Sequence, residues 1–165
     1  MAVSKRWPLA VFIALACGFL PAAAQEAAAP EPGPTPDIPC EQRPYSILVT
    51  VNNVKDERGS ITIELYDDVP EHFLRGFFKT GLVRVPATKG EVKACVAVPK
   101  AGRYALAVYH DRNDNTKFDK TWIGLPAEPY GTSNNPRFEM RAPRLDEAIF
   151  DVNGPLTPMT VTLRG

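Results

Sequence analysis

Apolar and polar side chains alternate every second residue through much of this chain, and that period predicts strands with one face turned inward. Ile47, Val49 and Val51 alternate with Ser46, Thr50 and Asn52. Ile61, Ile63 and Leu65 alternate with Thr62 and Glu64. Val92, Ala94, Val96 and Val98 alternate with Lys93 and Cys95, and Met159, Val161 and Leu163 with Thr160, Thr162 and Arg164. Tyr104 to Tyr109 is apolar on both faces and predicts a central strand. Ala148 to Val152 predicts a further strand, whereas Phe73 to Phe78 fits a short strand or a helical turn equally well. Turn residues separate these runs at Glu57-Arg58-Gly59, Lys89-Gly90, Pro99 to Gly102 and Asn153-Gly154-Pro155. About seven short strands without a useful helical period predict an all-β fold, an antiparallel β-sandwich transthyretin-like or immunoglobulin-like in outline.

The pattern stops short of the N-terminus. Lys5 and Arg6 precede a largely apolar run from Trp7 to Leu20, and Ala22-Ala23-Ala24 offers small residues, so residues 1–24 read as a signal peptide cleaved before Gln25. Leu15-Ala16-Cys17 gives a weaker alternative, lipidation at Cys17. Residues 25–43 carry Pro30, Pro32, Pro34, Pro36 and Pro39 among alanines, the composition of an extended linker. From residue 44 onward about 120 residues remain, enough for one domain with one core. The expected location is therefore periplasmic or extracellular, with no transmembrane segment in the mature chain.

Charge narrows the partners. Of 19 basic residues, Lys5 and Arg6 leave with the leader, so 17 face 19 acidic ones and the net charge is −2. Such a chain has no basic field for nucleic acid. Cys40 and Cys95 are the two cysteines left, and an isolated pair in an exported chain predicts a disulfide. Cys95 falls on the outward side of its strand, so the bridge is expected to fasten the N-terminal segment to the outside of a sheet.

The candidate chemistry lies after the central strand, where residues 110–136 lose the strand pattern. Counting from Asp111, oxygen-bearing side chains stand at positions one (Asp111), three (Asn113), five (Asn115) and nine (Asp119), and Lys117 at position seven can offer its backbone carbonyl. That spacing suits a hard cation such as calcium, with Glu128 adding charge from further along. Thr116 stands where a calcium loop needs glycine, and Trp122 where it needs a bidentate acid. The other reading is a scaffold of Asx turns, in which these side chains accept backbone N–H groups and no ion is needed. A local cluster of Phe118, Trp122, Ile123, Leu125 and Tyr130 is a further way to hold so long a loop.

Catalytic readings have less to stand on. His110 and His72 are the only histidines, too few for a zinc site once the cysteines pair. Ser133 lacks the glycine spacing of a nucleophile elbow and reads as a turn serine. A periplasmic hydrolase using His110 with Asp111, Asp119 or Glu128 stands as the alternative function.

One longer pattern adds to this. Gly102-Arg103-Tyr104-Ala105 leads into His110-Asp111, Asn113-Asp114-Asn115, Phe118-Asp119, Gly124-Leu125-Pro126-Ala127-Glu128, Tyr130-Gly131 and Ser133-Asn134-Asn135, with Pro143 and Leu145-Asp146-Glu147-Ala148 downstream. This order resembles a bacterial exported family known as domain of unknown function 2141. The family usually has Gly where Thr116 stands and often Phe where Thr132 stands. The resemblance implies a small secreted or periplasmic β-sandwich, similar to transthyretin-like or carboxypeptidase-regulatory-like modules, and brings no enzyme activity or site residues. The expected function is a non-enzymatic binding or structural module of the cell envelope, its partner an envelope glycan or protein, with calcium as the one candidate cofactor.

Overall fold

The computed structural model describes residues 39–137, 139 and 141–165. The leader, Cys17 and residues 25–38 of the linker lie outside the described residues. A 3-10 turn at Cys40–Gln42 is followed by β1 (Ser46–Val54), β2 (Ser60–Tyr66), β3 (Gly81–Pro86), β4 (Gly90–Ala97), β5 (Gly102–Asp111) and β6 (Tyr130–Thr132). The short helix α1 (Leu145–Ala148), β7 (Phe150–Val152) and β8 (Thr157–Thr162) complete the chain.

The strands form two sheets, one ordered β4-β1-β8 and the other β3-β2-β5-β6, with β7 also pairing β5. The all-β sandwich read from the period is therefore the fold, with three refinements. β3 and β6 escape the sequence pattern: β3 is only partly buried on both faces, so its residues need not alternate, and β6 has three residues. The run Ala148 to Val152 begins as the end of α1 and becomes strand only at Phe150. β8 lies parallel to β1, whereas every other strand pair is antiparallel. The chain enters β8 by crossing from β7, which pairs in the other sheet, and a crossover, unlike a hairpin, permits parallel pairing.

Between the sheets the inward residues named by the alternation meet: Ile47, Val49, Val51, Ile61, Ile63, Leu65, Val92, Ala94, Val96, Val161 and Leu163 are all buried in one cluster. From β5 this cluster takes Tyr104, Leu106 and Val108. The intervening Ala105 and Ala107 join a second cluster on the outer face, with Tyr66, Phe73, Leu145 and Ala148. β5 is thus covered on both sides, which is why its sequence shows no alternation. Its continuation keeps that burial to the end of the strand, so His110 and Asp111 are both wholly inaccessible.

Cys40 and Cys95 form the expected disulfide, 55 positions apart with Cα atoms 5.6 Å from each other. Val92, Ala94 and Val96 of β4 face the core and Cys95 points the other way, so the bridge closes on the outside of the three-stranded sheet. Ser46 reinforces it, donating its hydroxyl proton toward the carbonyls of Cys40 (2.9 Å) and Pro155 (2.6 Å). Both clusters and the bridge lie between Cys40 and Leu163, so this stretch contains its own folding core.

Candidate functional site

The strand β5 delivers Asp111 to the end of the five-stranded sheet, opposite Ser60 in register. The backbone then reverses by repeated side-chain capping. Asp111 accepts N–H groups from Asn115 (3.1 Å) and Thr116 (2.7 Å) on its two carboxylate oxygens. The Asn113 amide oxygen also accepts from Asn115 N–H (3.2 Å), and that of Asn115 accepts from Lys117 N–H (2.9 Å). These are successive Asx turns, the ordinary use of such residues. They require left-handed backbone at Asp114 (φ 56) and Thr116 (φ 67). The second is a β-branched residue, for which that region is costly. The turn that glycine would make without strain is therefore made here by threonine. The cost is offset by the buried Asp111 carboxylate and by Arg84 of β3, whose guanidinium donates to the Thr116 carbonyl (3.3 Å).

Of the four side chains singled out by spacing, three bond to one another, while the Asp111 carboxylate bonds to backbone N–H groups. The amide groups of Asn113 and Asn115 both donate to the Asp119 carboxylate, at 2.8 to 3.1 Å. Lys117 is exposed, and its N–H rather than its carbonyl takes part in the turns. Glu128 stands apart, accepting N–H groups from Arg112 (3.1 Å) and Asp119 (3.0 Å), one on each oxygen. It thereby ties the outgoing and returning arms of the loop at its base, helped by the bonds from Ala127 N–H to the Asp119 carbonyl and His110 N–H to the Pro129 carbonyl, both 2.9 Å. Among the described residues no three His, Cys, Asp or Glu side chains are grouped to hold a metal ion. Any cation here would depend on the neutral Asn oxygens.

Glu128 is buried, and burial pushes its carboxyl pKa up; its two N–H donors pull it down, while the charges of Asp111 and Asp119 push it up. A carboxyl raised on folding makes the folded state bind the extra proton, so its contribution to stability increases as pH falls from neutral toward the unfolded value of 4.5. Glu128→Gln can accept only one of the two N–H groups and is expected to lose about 1–3 kcal/mol of stability at neutral pH. The deficit relative to wild type should be larger at pH 5 than at pH 8, because the variant lacks the titrating group. Urea denaturation of both chains at the two pH values measures it, and an unchanged stability would remove Glu128 from the loop's support.

The proposed aromatic cluster under the loop is only half present. Phe118 packs against Tyr109 and Tyr130, with ring centroids 5.3 and 5.9 Å apart. Trp122, Ile123 and Leu125 do not join it. They stand on a tight hairpin closed by pairing of Lys120 with Pro126 and by bonds from Thr121 N–H to the Leu125 carbonyl (2.7 Å) and Gly124 N–H to the Thr121 carbonyl (2.8 Å). The Thr121 hydroxyl accepts Leu125 N–H, and Gly124 supplies the left-handed residue (φ 84). Trp122 is 97% exposed, Ile123 58% and Leu125 56%. Sequence reasoning grouped these side chains as a minicore because their apolarity is visible and their direction is not. The readable signal for a projecting tip was Thr121-Trp122-Ile123-Gly124, a turn set between Lys120 and Pro126.

The remaining candidates have structural duties. His110 Nε2 bonds to the Arg58 carbonyl (2.7 Å) deep in the sandwich end. His72 pairs with Asp67 (2.8 Å) and stacks on Phe78, at the far end of the sheet from Asp111. Buried Ser133 accepts Leu106 N–H (2.9 Å) and donates to the Ala148 carbonyl, joining β5 to α1. A hollow lined by Tyr130, Asn135, Arg137, Arg141, Glu147 and Arg164 is bordered by none of His110, Asp111, Asp119 or Glu128. That hollow therefore does not bring the residues of the hydrolase alternative together.

Residues 49–160 match a protein family described as "Uncharacterized protein conserved in bacteria (DUF2141)". Neither the curated proteins nor the solved structures contain a match to this chain.

Proposed function

The chain belongs to the DUF2141 family, and from that premise we propose that it is a non-enzymatic, exported binding module of the cell envelope, whose contact surface is the tip Lys120–Pro126. Export rests on the charged and apolar leader of the sequence. The observation that carries the reading is Trp122, almost fully exposed on a hairpin whose backbone bonds are closed internally. A large apolar side chain held outward by an ordered turn gains nothing for the fold, whereas it offers contact area at little entropic cost to a partner. The scaffold beneath it, from Asp111 to Glu128, fixes where the tip points.

The test is co-sedimentation of the chain from Gln25 to Gly165 with isolated bacterial envelopes. Wild type is expected to sediment, and Trp122→Ser to lose about tenfold in affinity, the order expected for a central aromatic contact. The variant's thermal midpoint should stay within about 1 °C, since the side chain touches little of the fold. Full retention of binding by Trp122→Ser would sink the reading.

Calcium belongs to the same proposal, supported by the turn at Asp111 to Lys117, which takes the left-handed step at position six even without glycine. The Asn113 and Asn115 amides now face Asp119, so an ion must turn them before their oxygens can ligate. That rearrangement makes the affinity weak. Millimolar calcium, compared with excess chelator, is expected to raise the thermal midpoint by a few degrees, roughly 1 kcal/mol of linkage. Asp119→Asn should abolish the increase. Equal midpoints in calcium and chelator would leave the Asx turns as the loop's whole support.

A further inference from the structure

We propose that the partner of the tip is the surface of an anionic lipid bilayer, with Trp122, Ile123 and Leu125 entering the headgroup region and Lys117 and Lys120 meeting the phosphates. This rests on the reading of the tip as the contact surface and gives that surface its partner.

Shape is the first argument. The three exposed apolar side chains all stand on one turn of seven residues. A stable protein partner needs about 800 Å² from each side, more than so narrow a projection presents. A bilayer needs no complementary wall, since shallow insertion of a few apolar side chains gives reversible attachment. Tryptophan in particular favours the headgroup level, where its ring meets both apolar and polar surroundings.

Charge is the second. The acids of the loop are each engaged by other groups: Asp111 and Glu128 are buried on backbone N–H groups, Asp119 is held by the two asparagine amides, and Asp114 accepts the Ser60 hydroxyl (2.8 Å). Arg112 is paired with Asp56 at 3.2 Å. Lys117 and Lys120 are exposed, and neither has an ion-pair partner among the described residues. From Gln25 to Gly165 the chain carries a net −2, yet Lys117 to Pro126 holds two lysines and one acid, and long lysine side chains reach phosphates while their stems stay with the apolar group.

The third argument is against a sugar. A glycan platform needs hydrogen-bonding groups beside the ring, yet the N–H groups of Thr121, Gly124 and Leu125 are engaged in closing the hairpin and the Thr121 hydroxyl oxygen already accepts one of them. Ile123 and Leu125 offer none.

In the chain from Gln25 to Gly165, which contains the whole folding core, Trp122 is the only tryptophan. Its emission therefore reports on the tip alone. The experiment adds phosphatidylcholine vesicles, with or without one third phosphatidylglycerol, in the presence of chelator. Emission should shift to shorter wavelength with the anionic vesicles, and partitioning measured by sedimentation should fall about tenfold in Trp122→Ser. Lys117→Gln/Lys120→Gln should lose several-fold on anionic vesicles only, as should wild type in high salt. Phe77, 91% exposed at the opposite end of the five-stranded sheet, is the control for sticking through any apolar residue, and Phe77→Ser should bind as wild type does. Absence of an emission shift, or an equal loss in Phe77→Ser, would overturn the lipid assignment. Envelope binding that depends on Trp122 without vesicle binding would overturn it too, leaving the binding module with a protein or glycan partner. Binding to neither would overturn both readings.

Discussion

Gly59→Ala is expected to cost about 3 kcal/mol or more, the upper range for forcing extra volume into a packed site. Gly59 has φ 66 and lies against the point where β5 turns into the loop. A Cβ there would overlap the Asp111 carbonyl oxygen and stand 2.9 Å from the carbonyl carbons of Asp111 and Arg112. These are backbone atoms, so no side chain can swing aside. Relief requires parting Ser60 from Asp111 in the β2–β5 register or pulling the Gly59 carbonyl from Ala87 N–H (3.1 Å). Gly90→Ala separates the two contributions. Gly90 also has positive φ (99) but nothing within 4 Å of a built Cβ, so it reports backbone strain alone, about 1 kcal/mol. Urea midpoints of the two variants decide the matter; equal losses would mean that β2 and the loop do not approach as closely as described.

Removing the disulfide by Cys40→Ala/Cys95→Ala is expected to cost about 4 kcal/mol in the chain-entropy model, lowering the thermal midpoint by roughly 10–20 °C. The cross-link spans 55 positions, and cutting it frees a long loop in the unfolded chain. The fold itself should survive, because β1 and β4 keep their pairing from Ser46↔Ala97 to Asn52↔Glu91 and the core between the sheets does not include the bridge. Denaturation of the oxidised and the reduced wild-type chain gives the same comparison without substitution. A loss below about 1 kcal/mol would show that the chain ends are already held, by Ser46 and the turn at Cys40, in the unbridged state.

Local electrostatics away from the loop adds acid sensitivity. Arg58 bonded to Asp56 holds that carboxyl down at about 2, and Arg141 does the same for Glu147, also about 2. Carboxyls lowered in this way stabilise the fold above their unfolded pKa values of 3.8 and 4.5, and the contribution is lost as pH falls toward 2. Glu128 acts in the opposite direction. Comparison of wild type with Glu128→Gln cancels the two shared groups and leaves Glu128 by itself.

The loop shows how a correct grouping of residues differs from a correct geometry. The spacing from Asp111 to Asp119 was legible because alternate short polar side chains in a turn fall on one side of it, and those of Asn113, Asn115 and Asp119 do meet. What they converge on was not legible. Asn113 and Asn115 can present oxygen or nitrogen, and the choice follows from which backbone N–H groups the turn leaves unpaired. Glu128 was named as added charge for an ion, and it instead caps two N–H groups across the base. Arg84 and Gly59, which meet the loop from β3 and from the residue before β2, are remote in sequence, and although Gly59 reads as a turn residue nothing local ties either of them to the loop.

By itself the sequence determined the all-β class, most strands and their inward faces, the paired cysteines and the outward side of Cys95. Each of these follows from a two-residue period or a residue count, properties of the chain that do not depend on its neighbours in space. Tertiary structure alone decided that β8 runs parallel to β1, that His110 and Asp111 are sealed within the sandwich end, and that Phe118 packs down while Trp122 points out. The physical reason is that apolarity sets the free energy of burial without setting its place. Phe118 finds Tyr109 and Tyr130 beneath it, whereas the internally closed Lys120–Pro126 hairpin carries Trp122 beyond reach of any such surface.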